Sequence, residues 1–321
     1  MVAPVGSYID RALFWVSDSG TIVYAPATAA LQAQLSWVDR QGKLLRTMGA
    51  PGQYTGVVRS PNGSKVAVSR LDATSASEKF ELWLWDLERG TQTLFWFKSA
   101  VRSRAVWSPD GTRLLVAAVD NGPLLLERSI NGIQDGRIVY RGNRGQALTP
   151  TSWSPDGRFV LFSAGDQKTG SDIWVLTPDS GAVAPLIQTI EGESNAEFSP
   201  DGRWIAYNST ESGRNEVYVT AVVSSLPKLT VGGGPWRVSN GGGNSPRWRA
   251  DGREIFYDGE NSLMAAQVST DSDSRSARLS LCGSGECLVR PATDMVSSMP
   301  LAMGGKSWLP GQSPRSGRAR H

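Results

Sequence analysis

Ser152-Trp-Ser-Pro-Asp-Gly-Arg-Phe-Val-Leu-Phe-Ser-Ala-Gly-Asp166 decides how this chain is read, because it recurs. Val106-Trp-Ser-Pro-Asp-Gly-Thr-Arg-Leu-Leu-Val116 and Glu197-Phe-Ser-Pro-Asp-Gly-Arg-Trp-Ile-Ala-Tyr207 are close copies, and looser ones begin at Val58 and Arg247. In each, a short apolar stretch ends in an aromatic residue (Trp107, Trp153, Phe198, Trp248), a Ser-Pro-Asp-Gly turn follows, and a second apolar stretch leaves the turn. Proline fixes φ to start such a turn, aspartate bonds the backbone just beyond, and glycine takes the positive φ. The turn residues are Pro61 and Gly63, Pro109, Asp110 and Gly111, Pro155, Asp156 and Gly157, Pro200, Asp201 and Gly202, and Asp251 and Gly252, with Ala250 in place of proline in the last copy.

The spacing of these turns gives the architecture. From Pro61 the gaps are 48, 46, 45 and 50 residues, and Asp18, in a proline-free version of the motif, lies 43 before Pro61. Six units of this length, starting near residues 14, 57, 105, 151, 196 and 246, match four-stranded propeller blades. After the second strand comes a polar loop, then an alternating strand such as Asp172-Ile-Trp-Val-Leu176 or Glu81-Leu-Trp-Leu-Trp85, then a weaker fourth strand. No window of helical length carries a 3.6-residue period. The expected fold is all-β, a six-bladed β-propeller over residues 1–270, in which stacked blades cover each other's faces and ring closure protects the strand edges. The motif aromatics are expected between blades, and the motif aspartates as turn braces rather than a carboxylate site.

The pattern weakens after residue 269. Leu263-Met-Ala-Ala-Gln-Val268 supplies a third strand for the sixth unit, no good fourth strand follows, and 271–321 reads as an irregular basic tail. The last blade is therefore expected to be incomplete, with the segment up to Phe14 pairing into it to close the ring.

Composition bounds function mainly by exclusion. Of 321 residues, 33 are Lys or Arg and 30 are Asp or Glu. The tail from Asp271 holds 7 of the former and 4 of the latter, which leaves 26 of each in the body. A neutral body does not read as a nucleic-acid surface. The twelve Trp can each bury roughly 150–250 Å², which suits packed sheets. No 18-residue apolar run is present, so no membrane span is expected, and no signal peptide is read before the first unit. The expected molecule is a monomer, cytoplasmic unless the gene extends into a membrane-anchored protein.

The single histidine, His321, ends the chain. Ser-His-Asp and Cys-His arrangements, the HExxH zinc motif and the GxSxG elbow are all missing. Gly305-Lys306-Ser307 lacks the upstream glycine of a phosphate loop, Pro300 standing in its place. Cys282 and Cys287 lack further ligands for a metal, and Asp271 and Asp273 lack the remainder of a calcium loop. Asn62-Gly-Ser64 and Asn208-Ser-Thr210 match the glycosylation triplet. No catalytic, metal or cofactor residue is assigned. What remains is the channel mouth, where loops enter the inner strand of each blade. These loops carry Arg102, Arg104, Asn143, Arg144, Glu193, Asn195, Asn240 and Asn244, the candidate contacts for a protein or small ligand.

At the level of the repeat, residues 14–268 resemble the TolB-type, WD-like bacterial propellers, whose units read W-S-P-D-G-x-x-[IL]-[AV]-[FY]-S. A finer resemblance rests on Val16-Ser-Asp-Ser-Gly-Thr-Ile-Val-Tyr24, Leu35-Ser-Trp-Val-Asp-Arg-Gln-Gly42, Ser212-Gly-Arg-Asn-Glu-Val-Tyr-Val219 and Gly241-Gly-Gly-Asn-Ser-Pro-Arg-Trp-Arg249 with Asp251-Gly-Arg-Glu-Ile-Phe-Tyr257. These look like the propeller carried C-terminally by a group of bacterial serine/threonine protein kinases. That resemblance implies an interaction or sensing module, extracytoplasmic in the kinase-fused setting. Two other roles are weighed against it: a TolB-like periplasmic envelope scaffold, and the accessory propeller of a prolyl-oligopeptidase-like hydrolase.

Overall fold

The computed structural model describes residues 13–16, 21–25, 33–71, 80–99, 104–131, 136–166, 170–225, 228–259, 262–270 and 279–289. Every regular element among them is a β-strand, and the strands form six antiparallel sheets in chain order. Each sheet is one blade of a six-bladed β-propeller: 13–52, 54–99, 106–141, 148–187, 193–237 and 244–289. The inner strands of the blades are Leu13–Val16, Tyr54–Arg59, Val106–Trp107, Leu148–Trp153, Glu193–Phe198 and Asn244–Trp248, and neighbouring ones approach each other around the channel.

The quoted turn builds the corner between inner and second strand. In blade 4, the Ser154 amide donates to the Phe159 carbonyl (2.8 Å) and the Gly157 amide to the Ser154 carbonyl (2.9 Å). The Phe159 amide donates to Ser154 Oγ (2.9 Å), and Asp156 Oδ1 accepts from the Ser154 hydroxyl (2.7 Å) and the Arg158 amide (3.0 Å). Gly157 sits at φ +78°, and Gly63, Gly111, Gly202 and Gly252 share that conformation. Blades 3 and 5 repeat the whole set through Ser108, Asp110, Ser199 and Asp201. In blade 2, Asn62 takes the aspartate's place, accepting from the Ser60 hydroxyl (2.7 Å) and the Ser64 amide (3.1 Å). The motif carboxylates are thus consumed locally. Asp110 is held at about 2, first by the Ser108 hydroxyl and then by the Thr112 amide.

Each sheet is covered on both faces, which explains the unbroken apolar runs of the second strands. Val160, Leu161 and Phe162 are fully buried, but they face opposite ways. Val160 and Phe162 pack with blade 3 residues Leu115, Ala117 and Val139. Leu161 packs with blade 5 residues Phe198, Ile205 and Tyr207. The same alternation recurs at every junction, so six core clusters occupy six junctions. Trp107, Trp153, Phe198 and Trp248 each belong to one of them, and the Trp107 indole donates across its junction to the Val58 carbonyl (3.2 Å).

One expectation about the ends needs correction, and another falls largely outside the described residues. Leu279–Val289 pairs with Leu263–Thr270 and completes the sixth blade, so the propeller runs past residue 270 and its last blade has four strands. Its sequence, Leu-Ser-Leu-Cys-Gly-Ser-Gly-Glu-Cys-Leu-Val, hides the strand, because glycines dilute the alternation and the register shifts twice along the pair. Leu13–Val16 stays in blade 1, with Phe14 opposite Tyr24. Among the described residues the ring closes by side chains, and residues 1–12, the rest of the segment expected to pair into the last blade, lie outside them. Phe14, Val16, Ile22 and Val38 pack on Phe256, Leu263 and Ala265. Above them, the guanidinium of Arg40 in blade 1 makes paired bonds of 2.8 and 2.9 Å to the buried carboxylate of Glu254 in blade 6.

Candidate functional site

Counting back from the turn proline aligns the inner strands. Three positions before it stand Val58, Val106, Ser152, Glu197 and Arg247, and five before it stand Gly56, Arg104, Pro150, Asn195 and Ser245. The intervening positions, toward the blade core, are apolar or aromatic except for Arg59 and Thr151. The two channel positions follow no rule, and they carry charge only in blades 3, 5 and 6.

Those charges find each other. Arg104 Nη1 donates to Asn195 Oδ1 at 2.9 Å, from blade 3 to blade 5, with blade 4 between them in sequence. Asn195 donates onward to Asn208 Oδ1 (3.0 Å), and the Asn208 amide group reaches Ser194 Oγ (2.9 Å). The Asn195 backbone, at φ +56°, turns its own N–H toward Ser163 Oγ of blade 4 (3.2 Å). Deeper in the channel, Arg247 Nη1 lies 3.5 Å from Glu197 Oε2, which also accepts from the Trp248 amide (3.2 Å). At the preceding junction Ser152 fills the same role, accepting from the Phe198 amide (3.1 Å). Burial pushes the Glu197 carboxyl up, against the pull of Arg247.

The loop entering blade 6 is organised by a residue that the alternating third-strand pattern gave no reason to single out. Glu216 is fully buried at the start of the third strand of blade 5. It accepts from Arg214 Nε (2.9 Å), Arg237 Nη2 (2.8 Å), the Gly241 and Gly242 amides (3.0 and 3.1 Å) and the Ser239 hydroxyl. Burial alone would raise this carboxyl, but the Ser239 hydroxyl, the two glycine amides and Arg237 hold it at about 2. Both amides can point inward because Gly241 and Gly242 sit at φ +111° and +101°.

The sequence-derived candidates divide accordingly. Arg104 and Asn195 meet across the channel. Asn143 and Arg144 stand exposed on the loop into blade 4. Asn240 is exposed and accepts from Arg237 (2.9 Å). Asn244 is half-buried, and its Oδ1 has no partner among the described residues. Arg102 lies outside the described residues. Glu193, expected on the loop surface, is buried instead: it opens the inner strand, and its carboxylate accepts from the Thr189 hydroxyl (2.6 Å) and amide and from Ser209 (3.3 Å). Burial raises its pKa. Asn208 is buried too, so the second glycosylation triplet is closed to modification. Arg247, Glu197 and Glu216 were missed. The signal for the first two was available, since a carboxylate and a guanidinium stand where other copies hold valine or serine.

Among the described residues, no group of three or more His, Cys, Asp or Glu could hold a metal ion, and no helix is long and apolar enough to cross a membrane.

No family model matches the chain. An uncharacterised protein of Agrobacterium fabrum, Atu1656, is 33% identical over 79 residues, which is 24% of this chain and 27% of that relative's length. Among solved structures, a protein assigned as TolB from Agrobacterium tumefaciens superposes with a TM-score of 0.54 at 16% identity, covering 77% of this chain and 87% of its own. The hydrazine synthase of Kuenenia stuttgartiensis gives 0.56 at 14% identity, with 83% and 80% covered. A protein assigned as a 6-phosphogluconolactonase from Bacteroides uniformis gives 0.55 at 16%, with 90% and 88% covered. At such identities the likeness carries the fold, a TolB-like β-propeller, and nothing of activity.

Proposed function

We propose that this chain is a non-catalytic binding or sensing module that engages a protein or small ligand at the channel-mouth face. The pairing of the mouth charges carries the reading. Arg104 is bonded to Asn195, Arg247 to Glu197, and Arg214 and Arg237 to Glu216. A general base needs a lone pair within reach of substrate, and a nucleophile needs a base beside it. Here Glu216 is engaged by five neighbouring donors, and Glu197 takes the Arg247 guanidinium and the Trp248 amide, which suits both to bracing loops. A rigid ring that fixes irregular loops is suited to recognition, because the loops are ordered before a partner arrives and less entropy is lost on binding.

The finer reading is kinship with propellers fused to bacterial serine/threonine kinases. It is supported by the segments around Trp37, Glu216 and Trp248 that resemble them. The likeness of fold to the TolB protein favours a second reading, an envelope scaffold. Both are binding roles, and one experiment addresses them together. The purified chain is assayed for turnover of peptide, ester and lactone substrates, and partners are cross-linked in the native host with wild type and with Asn143→Ala/Arg144→Ala. A specific partner lost in the double variant, without turnover, is the expected result. Saturable turnover by the pure protein would overturn the non-catalytic reading.

A further inference from the structure

The corners of blades 5 and 6, where inner strand turns into second strand, leave between them a cleft of about 760 Å³. Its lining includes Pro200, Trp204, Trp248, Arg249, Gln267 and Val268. Ligand sites commonly measure about 300–1,000 Å³. The repeat departs from its pattern here. Arg249 stands where the corners of blades 2 to 5 hold Ser60, Ser108, Ser154 and Ser199, and Ala250 where they hold proline. Trp204 and Trp248 are 1% and 7% exposed and pack in one core cluster. Neither indole N–H has a partner among the described residues, and neither has Nε of Arg249. Two other copies of Trp248 differ in this respect: the Trp153 indole donates to the Gly157 carbonyl (2.9 Å), and the Trp107 indole to the Val58 carbonyl (3.2 Å). A buried donor left unpaired is unfavourable, and three on one cleft call for an occupant that brings acceptors.

We propose that this cleft binds a proline-rich segment of a partner protein in the polyproline II conformation, its carbonyls accepting from Trp204, Trp248 and Arg249. The class follows from what the lining offers. The three unpaired groups are all donors. The carboxylates around them already take donors of their own: Asp201 from the Ser199 hydroxyl (2.6 Å) and the Arg203 amide (3.1 Å), Asp251 from the Arg253 amide (3.1 Å), and Glu254 from Arg40 and Arg249, both at 2.8 Å. The charge of Arg249 is met by Glu254 and, at 3.3 Å, by Asp251, which favours a neutral acceptor over a free anion. An ordinary extended strand would bring amides as well as carbonyls. A polyproline II segment has no internal hydrogen bonds, so its carbonyls are bare, and its prolines have no N–H to satisfy. Pro200, Val268 and the indole rings supply apolar walls for pyrrolidine rings, as aromatic-lined grooves do for such peptides. The site lies apart from the channel mouth and goes beyond the reading given above.

The test uses the whole chain, labelled with nitrogen-15, and follows its indole N–H signals while a polyproline decapeptide is added to millimolar concentration. Trp204→Phe and Trp248→Phe assign the two signals. Both variants should fold, because Phe159 and Phe198 occupy the equivalent positions in blades 4 and 5. Saturable shifts of the Trp204 and Trp248 signals are expected, with affinity weakened about fivefold in Trp248→Phe, the loss of one hydrogen bond. A glycine–serine peptide of equal length should leave both signals in place. If polyproline moves neither signal, the cleft holds solvent only and the inference is overturned. If the control peptide moves them equally, the assignment to proline-rich segments is overturned. Should a variant not fold, the wild-type signals, assigned through the backbone, decide. Asn143→Ala/Arg144→Ala keeps this site apart from the channel mouth. The double variant should bind the decapeptide as wild type does, and loss of binding there would move the peptide to the mouth and overturn the cleft assignment while leaving the mouth-face reading standing.

Discussion

On one face of the ring, the turns of blades 3, 4 and 5 repeat one set of bonds: a serine hydroxyl and an aspartate together cap the corner, and a glycine at positive φ completes it. On the opposite face the described loops differ in their side-chain contacts. Blade 5 sends Asn195 to Arg104 of blade 3, blade 6 receives a loop tied to Glu216, and blade 4 presents Asn143 and Arg144 to solvent. The first face solves a problem common to every blade, turning one strand into the next, and a common problem admits a common answer. The second must answer to something outside the ring, or to the local need of a single loop. Repetition here marks structure, and departure from it marks where function is to be sought. That rule has an exception in Glu216, which is unrepeated and yet structural.

Glu216 therefore gives the largest test. Glu216→Ala leaves Arg237 without its buried partner and frees the Gly241 and Gly242 amides. The change removes an acceptor shared by the Ser239 hydroxyl and two glycine amides, and hydrogen bonds to a charged group are worth about 1.5–3 kcal/mol each, so denaturant unfolding should show a loss of about 3 kcal/mol or more. A cost below about 1 kcal/mol would move the loop into blade 6 from the structural to the functional side of the comparison. The acid limb gives a second readout. The carboxyl is held at about 2, against an ordinary 4.5, so the stability it contributes is present above 4.5 and is lost as pH falls toward 2. Glu216→Gln should flatten the fall in stability over that window.

On the repeated face, Gly157→Val should cost about 1–3 kcal/mol, the price of a β-branched residue at positive φ. Space is not the obstacle, because a Cβ there would meet only Pro109 Cγ, at 3.8 Å. Unchanged unfolding would break the assignment of this turn. A smaller and sharper test is the set Asp110→Ala, Asp156→Ala and Asp201→Ala. Each removes one acceptor from the same corner, worth about 1 kcal/mol, and the three losses should agree within about 0.5 kcal/mol. Unequal losses in thermal or denaturant unfolding would mean that the copies are alike in sequence but not in their dependence on the brace.

How far the sequence could be read follows the same division. The blades, their turns and their inter-blade aromatics were legible because each copy corroborates the others. The last strand was not. Leu279–Val289 has no Trp-Ser-Pro-Asp-Gly beside it and carries two glycines, so only its pairing with Leu263–Thr270 identifies it. Closure by Arg40 and Glu254 joins residues 214 apart, which no local pattern reports. In the candidate site, Arg104 and Asn195 were picked as loop residues without any sign that they touch. Glu193 was misplaced because its neighbours Thr189 and Glu191 read as loop, while Glu193 itself begins a strand and turns inward.

The smallest expected effect on stability bears most on function. Arg144 is exposed, near Gly145 at φ +84°, on the short loop between Arg137–Arg141 and Leu148–Trp153. A surface residue outside the core and its buried networks should tolerate Arg144→Ala within about 0.5 kcal/mol. If the irregular face recognises a partner, the same change should weaken that partner's binding in titration calorimetry while unfolding stays as in wild type. A residue of the repeated face such as Asp156 should do the reverse, losing stability without changing affinity. Should Arg144→Ala and Asp156→Ala act alike on both measurements, the two faces would not differ in role, and repetition would no longer separate structure from function in this ring.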